Sequence, residues 1–255
     1  MNKENNKVIL LHKQTFKSFL VDRSKDFHSN FGMIKKEQLE NAKPGDILKT
    51  NTNKELIVIN PEFSDLYDKI KRRAQIIPKK DIGLILANTL IGKDDICIDA
   101  GSGTGALAIA LARYCKKVFS LDIREDHQEI AKSNAEFLGI KNIEFLIGDI
   151  YDANFVASKL KGIKASLLTL DVPEPWQAID TAKAVLKTGG FIAVYTPTII
   201  QNAEFLNELR NHEEFIHIKT VNVMEQQWEI EGRKIRPKSW SIYHSGFISL
   251  ARKIR

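Results

Sequence analysis

The stretch Ile96–Leu107, ICIDAGSGTGAL, constrains the architecture of this chain more than any other. A short apolar run, Ile96-Cys97-Ile98, reads as a buried strand and ends at Asp99. Gly101, Gly103 and Gly105 follow, and then a helical run from Ala106 to Arg113. Glycines at a strand-to-helix turn adopt backbone angles closed to other residues and let the main chain approach a ligand where a side chain would collide. The N–H groups that open the helix then face that ligand, which favours a carboxylate or phosphate. The stretch therefore predicts a βα unit with a loop for a nucleotide-type cofactor. Its Gly-x-Gly-x-Gly spacing, behind an acid at the strand end, differs from the Gly-x-Gly-x-x-Gly of dinucleotide sites. An ordinary glycine-rich turn is the plain alternative.

Strand and helix patterns alternate after this unit. The strand Lys117–Leu121 precedes a helix from Glu125 to Leu138, ended by Gly139. Ile143–Ile147 and Ala165–Leu170 are further strands, and a helix from Gln177 to Leu186 leads through Lys187-Thr188-Gly189-Gly190 into the strand Phe191–Tyr195. A helix near Ile200–Asn211 and two late strands, His217–Met224 and His244–Ala251, complete the pattern. Alternating βα units predict an α/β fold with a mostly parallel, Rossmann-like sheet covered on both faces. The late pair, with no helix between its strands, predicts an antiparallel C-terminal hairpin at one edge. Residues 1–64 read differently, as a small all-β, barrel-like domain: Val8–Leu11 and Phe16–Val21 are strand-like, and 46–50 and 55–59 flank a hairpin turn. Residues 65–255 form the second domain, with a helix from Asp81 to Leu90 ahead of the glycine loop.

Ligands of such sheets bind outside the carboxyl ends of the strands. Asp122 ends the second strand, where a carboxylate suits both hydroxyls of a ribose; the position also suits a capping Asp. Asp149 ends the third, where an acceptor suits an exocyclic amine and the backbone of Ile150 suits a purine ring. Together with the glycine loop they specify an adenosine-containing ligand. The fourth strand ends in Leu170-Asp171-Val172-Pro173-Glu174-Pro175-Trp176. Two prolines cannot continue a central strand, so this is a stiff loop with Asp171 at its base and Trp176 at its rim.

Charge adds a partner class. The chain carries 38 Lys and Arg against 32 Asp and Glu, a net +6. Lys71, Arg72, Arg73, Lys79 and Lys80 crowd one stretch, and from Arg233 onward there are seven Lys or Arg and no Asp or Glu. Two basic clusters flanking a cofactor fold favour a nucleic-acid partner over mere solubility. No apolar run approaches the roughly 18–20 residues of a membrane span, the first residues lack a secretion signal, and the expected location is the cytoplasm. Cys97 and Cys115 read as core residues, and no spacing of Cys and His suggests a metal.

Six segments then occur in a telling order: Arg72-Arg73-Ala74-Gln75-Ile76-Ile77, DAGSGTGAL, LDVPEPW, Gly189-Gly190-Phe191, Tyr195-Thr196-Pro197-Thr198 with Gln201, and His244-Ser245-Gly246-Phe247. The glycine loop resembles motif I of class I S-adenosylmethionine (SAM) methyltransferases. The Asp171 loop resembles motif IV of those that modify amino groups or ring nitrogens. The whole series is similar to the tRNA (adenine-N1-)methyltransferases that modify T-loop adenine 58 and, in archaeal members, the neighbouring adenine 57. This resemblance covers essentially the whole chain.

It implies SAM as cofactor and tRNA as partner. Gly101, Gly103, Thr104, Gly105, Ala106 and Leu107 would line the methionine end of SAM with Gln75 beside them, Asp122 on the ribose, His127 adding a polar contact, and Asp149 and Ile150 at the adenine. Asp171 would be the catalytic carboxylate. Tyr195 and His244 would stand near the target base or the cofactor mouth, Trp176 and Tyr195 would stack the base, and Arg72 and Arg73 would hold phosphates. The family also implies a homotetramer. Three departures touch substrate contacts: Glu225-Gln226-Gln227-Trp228 where the family often has Glu-Arg-x-Trp, Ser245 where Thr is usual, and Pro78 where a tyrosine often stands. The rival readings are a class I methyltransferase acting on protein or a small molecule, a non-catalytic RNA-binding subunit, and an NAD-dependent oxidoreductase.

Overall fold

A computed structural model describes residues 6–73, 75–239 and 244–255. The chain divides into two compact units, Met1–Ile70 and Lys71–Arg255. The first contains β1 (Lys7–Leu11), β2 (Ser18–Asp22), β3 (Phe27–Ser29), β4 (Gly32–Ile34), α1 (Lys36–Asn41), β5 (Ile47–Lys49), β6 (Glu55–Ile59) and α2 (Phe63–Tyr67). Its main antiparallel sheet has the order β2-β1-β6-β5, and β3 and β4 pair separately. Alternate residues of β1 and β6, namely Val8, Leu10, Leu56 and Val58, meet Val21, Phe27, Ile34 and Leu39 in its core.

The expected small antiparallel β domain is present; its sheet is open in this order, not barrel-like, and two short helices accompany the strands. α1 is too short to show a helical period and buries only Leu39. Its N-terminal N–H groups, which no helical turn can satisfy, are met from outside: Lys36 N–H donates to Asp26 Oδ1 at 2.9 Å and Lys35 N–H to Gln38 Oε1 at 3.3 Å.

The second unit runs α3 (Lys79–Thr89), β7 (Ile96–Ala100), α4 (Ala106–Ala112), β8 (Lys117–Asp122), α5 (Glu125–Phe137), β9 (Ile143–Ile147), α6 (Ala153–Leu160), β10 (Ala165–Leu170), α7 (Ile179–Val185), β11 (Leu186–Thr196), α8 (Ile199–Leu209), β12 (Phe215–Val221), β13 (Trp228–Glu231), β14 (Lys234–Pro237) and β15 (Phe247–Lys253). Seven strands form one sheet in the order β12-β15-β11-β10-β7-β8-β9. β9, β8, β7, β10 and β11 run parallel to one another, while β15 lies antiparallel to both β11 and β12. Every residue of β10 is buried, as a central strand covered on both faces requires. Cys97 and Cys115 are buried free thiols.

The chain steps from β7 outward to β8 and β9, then returns to β10 on the other side of β7. Strand order reverses there, which puts the binding crevice beyond the carboxyl ends of β7 and β10. The predicted late antiparallel pair is present, but the sequence reading missed α6 and the β13–β14 hairpin. α6 has only eight residues and buries Val156 and Leu160. Its N-cap was the available signal, since Asp152 Oδ1 accepts from Phe155 N–H at 2.9 Å. The hairpin turns at Gly232, with φ +57°, between alternating segments whose two faces are both largely exposed.

A candidate cofactor and catalytic site at the switch point

β7 delivers its chain into a loop that only glycine can make. Gly101 has φ +90°, and a β-carbon on it would stand 2.0 Å from the carbonyl oxygen of Asp171. Gly105, at φ +78°, caps α4 in the left-handed region, and its β-carbon would come 2.9 Å from that of Ala131 on α5. The first glycine thus brings two strand ends together, and the last brings two helices together. Asp171 N–H donates to Ala100 O at 2.9 Å, while Gly101 N–H and Ser102 N–H share Leu121 O at 3.0 and 3.1 Å.

A buried polar net supports the loop from below. Asp99 accepts from Ser120 Oγ at 3.1 Å and Thr169 Oγ1 at 2.8 Å. Ser102 Oγ lies 2.7 Å from Ser120 Oγ and accepts from Gln128 Nε2 at 3.0 Å. Burial pushes the Asp99 carboxyl up to about 6, against these hydrogen bonds that pull it down.

The loop, the ends of β8, β9 and β10, and the segment before α3 enclose a cavity of about 400 Å³, within the range of ligand pockets. Gln75, Gly101, Gly103, Thr104, Ala106, Leu107, Asp122, His127, Asp149, Ile150 and Asp171 all line it. Gly105 stands back from the wall, packed on Ala131. Asp122 binds protein on both oxygens: Oδ2 accepts from Gly103 N–H at 3.0 Å and lies 3.1 Å from His127 Nδ1, and Oδ1 accepts from Arg124 N–H at 3.0 Å. The capping and ligand readings of Asp122 are therefore compatible, since a carboxylate has roughly four acceptor sites and these bonds use three. Asp149 Oδ1 accepts from Tyr151 N–H at 2.9 Å, and buried Ile150 is fixed through its carbonyl by Thr181 Oγ1 at 2.6 Å.

Asp171 differs from the other acids. No group of the described residues donates a hydrogen bond to its carboxylate. Burial, then the charges of Asp99 and Asp122, push it up to about 7. It is poised near neutrality and lacks a partner, the condition of a group reserved for something else.

The five predicted substrate residues stand outside this wall. Trp176 lies in a 3-10 turn, Pro175–Ala178, and packs half-buried against the core. Tyr195, at the end of β11, donates its hydroxyl to Ser245 O at 2.6 Å. Burial, then the charge of Asp81, push that hydroxyl up to about 12, with Asp171 adding to the effect. His244 Nε2 donates to Pro197 O at 3.0 Å, and its Nδ1 lies 3.3 Å from Asn222 Nδ2. Arg72 is exposed, and Arg73 makes a 3.4 Å surface pair with Asp126. Ala74, between Arg73 and Gln75 in the quoted motif, lies outside the described residues. Lys80 was counted in the basic cluster, but it is buried and paired inward.

The sequence reading passed over Tyr151, Arg124 and Glu174, which also line the cavity. Tyr151 was signalled by its place just beyond Asp149 and Ile150. Its hydroxyl accepts from Glu174 N–H at 3.2 Å and ties the third strand end to the proline loop. Gln201 Nε2 donates to Pro173 O at 3.0 Å, which explains its place in the motif series.

The cavity fits a compound with an amino-acid end, a ribose, an adenine and a cationic centre. It offers glycine-loop backbone, acids on two successive strand ends, and an unpaired carboxylate. Seven strands in this order around such a loop define a class I SAM-dependent methyltransferase. A family model described as the tRNA methyltransferase complex GCD14 subunit matches residues 55–245, and the chain belongs to that family. A curated relative from Methanocaldococcus jannaschii, named tRNA (adenine(57)-N(1)/adenine(58)-N(1))-methyltransferase TrmI, is 28% identical over 268 residues, covering 95% of this chain and 94% of its own. Among solved structures, a protein from Thermotoga maritima titled SAM-dependent O-methyltransferase is 28% identical with a TM-score of 0.88, covering 100% of this chain and 95% of its own. The tRNA (m1A58) methyltransferase TrmI of Aquifex aeolicus, 21% identical, has the same fold at a TM-score of 0.82 over 100% of this chain and 99% of its own.

Proposed function

We propose that the chain transfers a methyl group from SAM to N1 of adenine in the T-loop of tRNA, at position 58, with the neighbouring adenine 57 as a second target. The observation that carries this reading is the unpartnered Asp171 carboxylate at the switch point, in a chain of this family. The Methanocaldococcus relative is named for this reaction. Gln75, the Gly101–Leu107 loop, Asp122 with His127, and Asp149 with Ile150 would hold SAM. When bound, SAM supplies an electrophilic methyl on a sulfonium.

Adenine N1 carries an in-plane lone pair and attacks without first losing a proton. Positive charge then grows on the ring and is shared with the exocyclic amine. The Asp171 carboxylate accepts a hydrogen bond from that amine, stabilises the charge, and afterwards takes the proton. A T-loop adenine lies inside the tRNA elbow and must swing out to be reached. Arg72, Arg73 and the exposed C-terminal basic residues hold phosphates, and Tyr195 with Trp176 flanks the base. Residues 1–64 serve tRNA or subunit contact, and the enzyme works in the cytoplasm. Among the described residues no helix is long and apolar enough to cross a membrane.

The same reading includes a homo-oligomer, a tetramer in this family. Pairing across β13 and β14 places Trp228, Ile230, Ile235 and Pro237 on one face of the hairpin. The three large apolar residues there are 55%, 75% and 65% exposed. A contiguous apolar face of this kind calls for cover, and a second copy of the chain is the proposed occupant.

Nucleoside mass mapping of tRNA treated with the protein and SAM tests substrate, atom and position together. N1-methyladenosine confined to the T-loop is expected. A methyl group on a hydroxyl, as the name of the Thermotoga protein would suggest, or on protein would overturn the reading, and calorimetric absence of SAM binding would leave a non-catalytic subunit.

A further inference from the structure

α3 opens with a buried ion pair that the proposed chemistry does not use. Lys80 and Asp81 are neighbours in its first turn, with side chains 7% and 0% exposed. Lys80 Nζ lies 2.9 and 3.1 Å from the two carboxylate oxygens of Asp81, 2.6 Å from Val223 O and 2.5 Å from Ser245 Oγ. Ser245 Oγ in turn donates to Asp81 Oδ2 at 2.6 Å. The three ammonium protons thus meet three kinds of acceptor, the condition under which a buried pair is tolerated.

The bonds reach the site through Ser245, whose hydroxyl is held by α3 while its carbonyl accepts the Tyr195 hydroxyl at 2.6 Å. The next residue, Gly246, packs against the Tyr195 ring, where a β-carbon would come 2.5 Å from its Cζ, and its carbonyl accepts from Asn222 Nδ2 at 2.7 Å. Tyr195 is the next-to-last residue of β11, beside the strand whose loop carries Asp171. Its ring is therefore packed by Gly246 and held at its hydroxyl by Ser245, and Ser245 is bonded to the ion pair.

We propose that Lys80, Asp81 and Ser245 form a positioning lock that fixes Tyr195 on the acceptor side of Asp171, aligning the target base without contributing to cofactor affinity. The lock rests on the methyl-transfer reading for its readout and on its own bonds for its existence. Ser245 supplies the test, because one hydroxyl group separates an intact lock from a broken one. Ser245→Ala should lower kcat on tRNA roughly ten- to a hundredfold, the scale of a small misplacement, while the SAM dissociation constant by calorimetry stays within about twofold. Ser245→Thr, which keeps the hydroxyl, should restore kcat to near wild type.

Because the lock acts through Tyr195, Ser245→Ala combined with Tyr195→Phe should fall no further than Tyr195→Phe alone. Additive losses, an unchanged kcat for Ser245→Ala, or failure of Ser245→Thr to rescue would overturn the lock. If wild-type protein transfers no methyl to tRNA, the functional reading fails instead. The same cycle is then read in thermal unfolding, where coupled melting temperatures support the lock and independent ones overturn it.

Discussion

The carbonyl oxygen of Asp171 and the α-carbon of Gly101 are packed against each other so closely that a single added methyl on the glycine would stand 2.0 Å from that oxygen. The loop expected to hold the cofactor and the loop carrying the unpaired carboxylate are thus one mechanical unit. Gly101→Ala must separate them, and it must also hold alanine at φ +90°, where L residues are strained. SAM affinity by calorimetry should drop at least tenfold and methyl transfer further still. Wild-type values for both would show that the contact can relax without consequence.

Asp171→Asn separates chemistry from binding. The amide keeps the volume but cannot take a proton, so turnover on tRNA should fall on the order of 10²–10⁴-fold with SAM binding retained. Unchanged turnover would remove Asp171 from the reaction.

The acidity of that carboxyl makes a further prediction. With its folded value near 7, the competent carboxylate form accumulates as pH rises, and kcat/KM for SAM should climb to a plateau above a limb near pH 7. Stability should move the opposite way. Asp99 and Asp171 titrate at about 6 and about 7 when folded, against 3.8 as the ordinary value. The stability they contribute is full below that ordinary value and is lost as pH rises through their folded values. Asp171→Asn should therefore raise the melting temperature at pH 8 and leave it nearly unchanged at pH 4. A flat pH–rate profile, or equal shifts at both pH values, would contradict the assignment.

Arg72 and Arg73 give a different signature. The Arg73–Asp126 pair is exposed, and such screened surface pairs add little to stability, so Arg72→Ala/Arg73→Ala should leave melting almost unaltered. tRNA affinity should weaken, and the slope of log affinity against log salt should shallow by about one per lost phosphate contact. An unaltered slope would take both residues off the RNA surface.

The hairpin prediction concerns mass. Trp228→Ser/Ile230→Ser should shift the species seen by light scattering toward smaller assemblies. Charge pairing on the opposite face, where Glu229 bonds Lys234 and Arg236, should keep the hairpin formed. An unchanged mass would leave this face to another partner.

What the sequence disclosed followed the reach of each signal. Gly101, Asp122 and Asp149 sit in local strand-end patterns, and the structure brings them to one cavity. α6 and the β13–β14 hairpin are short, and neither builds a run long enough to declare its period. Trp176 reads from the sequence as a rim aromatic, and its half-buried packing against the core is a detail that a turn's local pattern does not carry. The Lys80–Ser245 bond spans 165 residues. No local pattern encodes such a contact, and Lys80 in sequence is indistinguishable from its exposed basic neighbours.

The order of the large sheet carries a consequence for how the molecule comes to exist. β15 follows every other strand of that sheet along the chain, yet it lies between β11 and β12. Until Phe247–Lys253 leaves the ribosome, β11 presents an open apolar edge and β12 has no neighbour to join. The parallel half can form early, but Tyr195 has no Ser245 to hold it. Nascent chains should therefore acquire their cofactor crevice before their acceptor side, and would be vulnerable to edge-to-edge association in the interval.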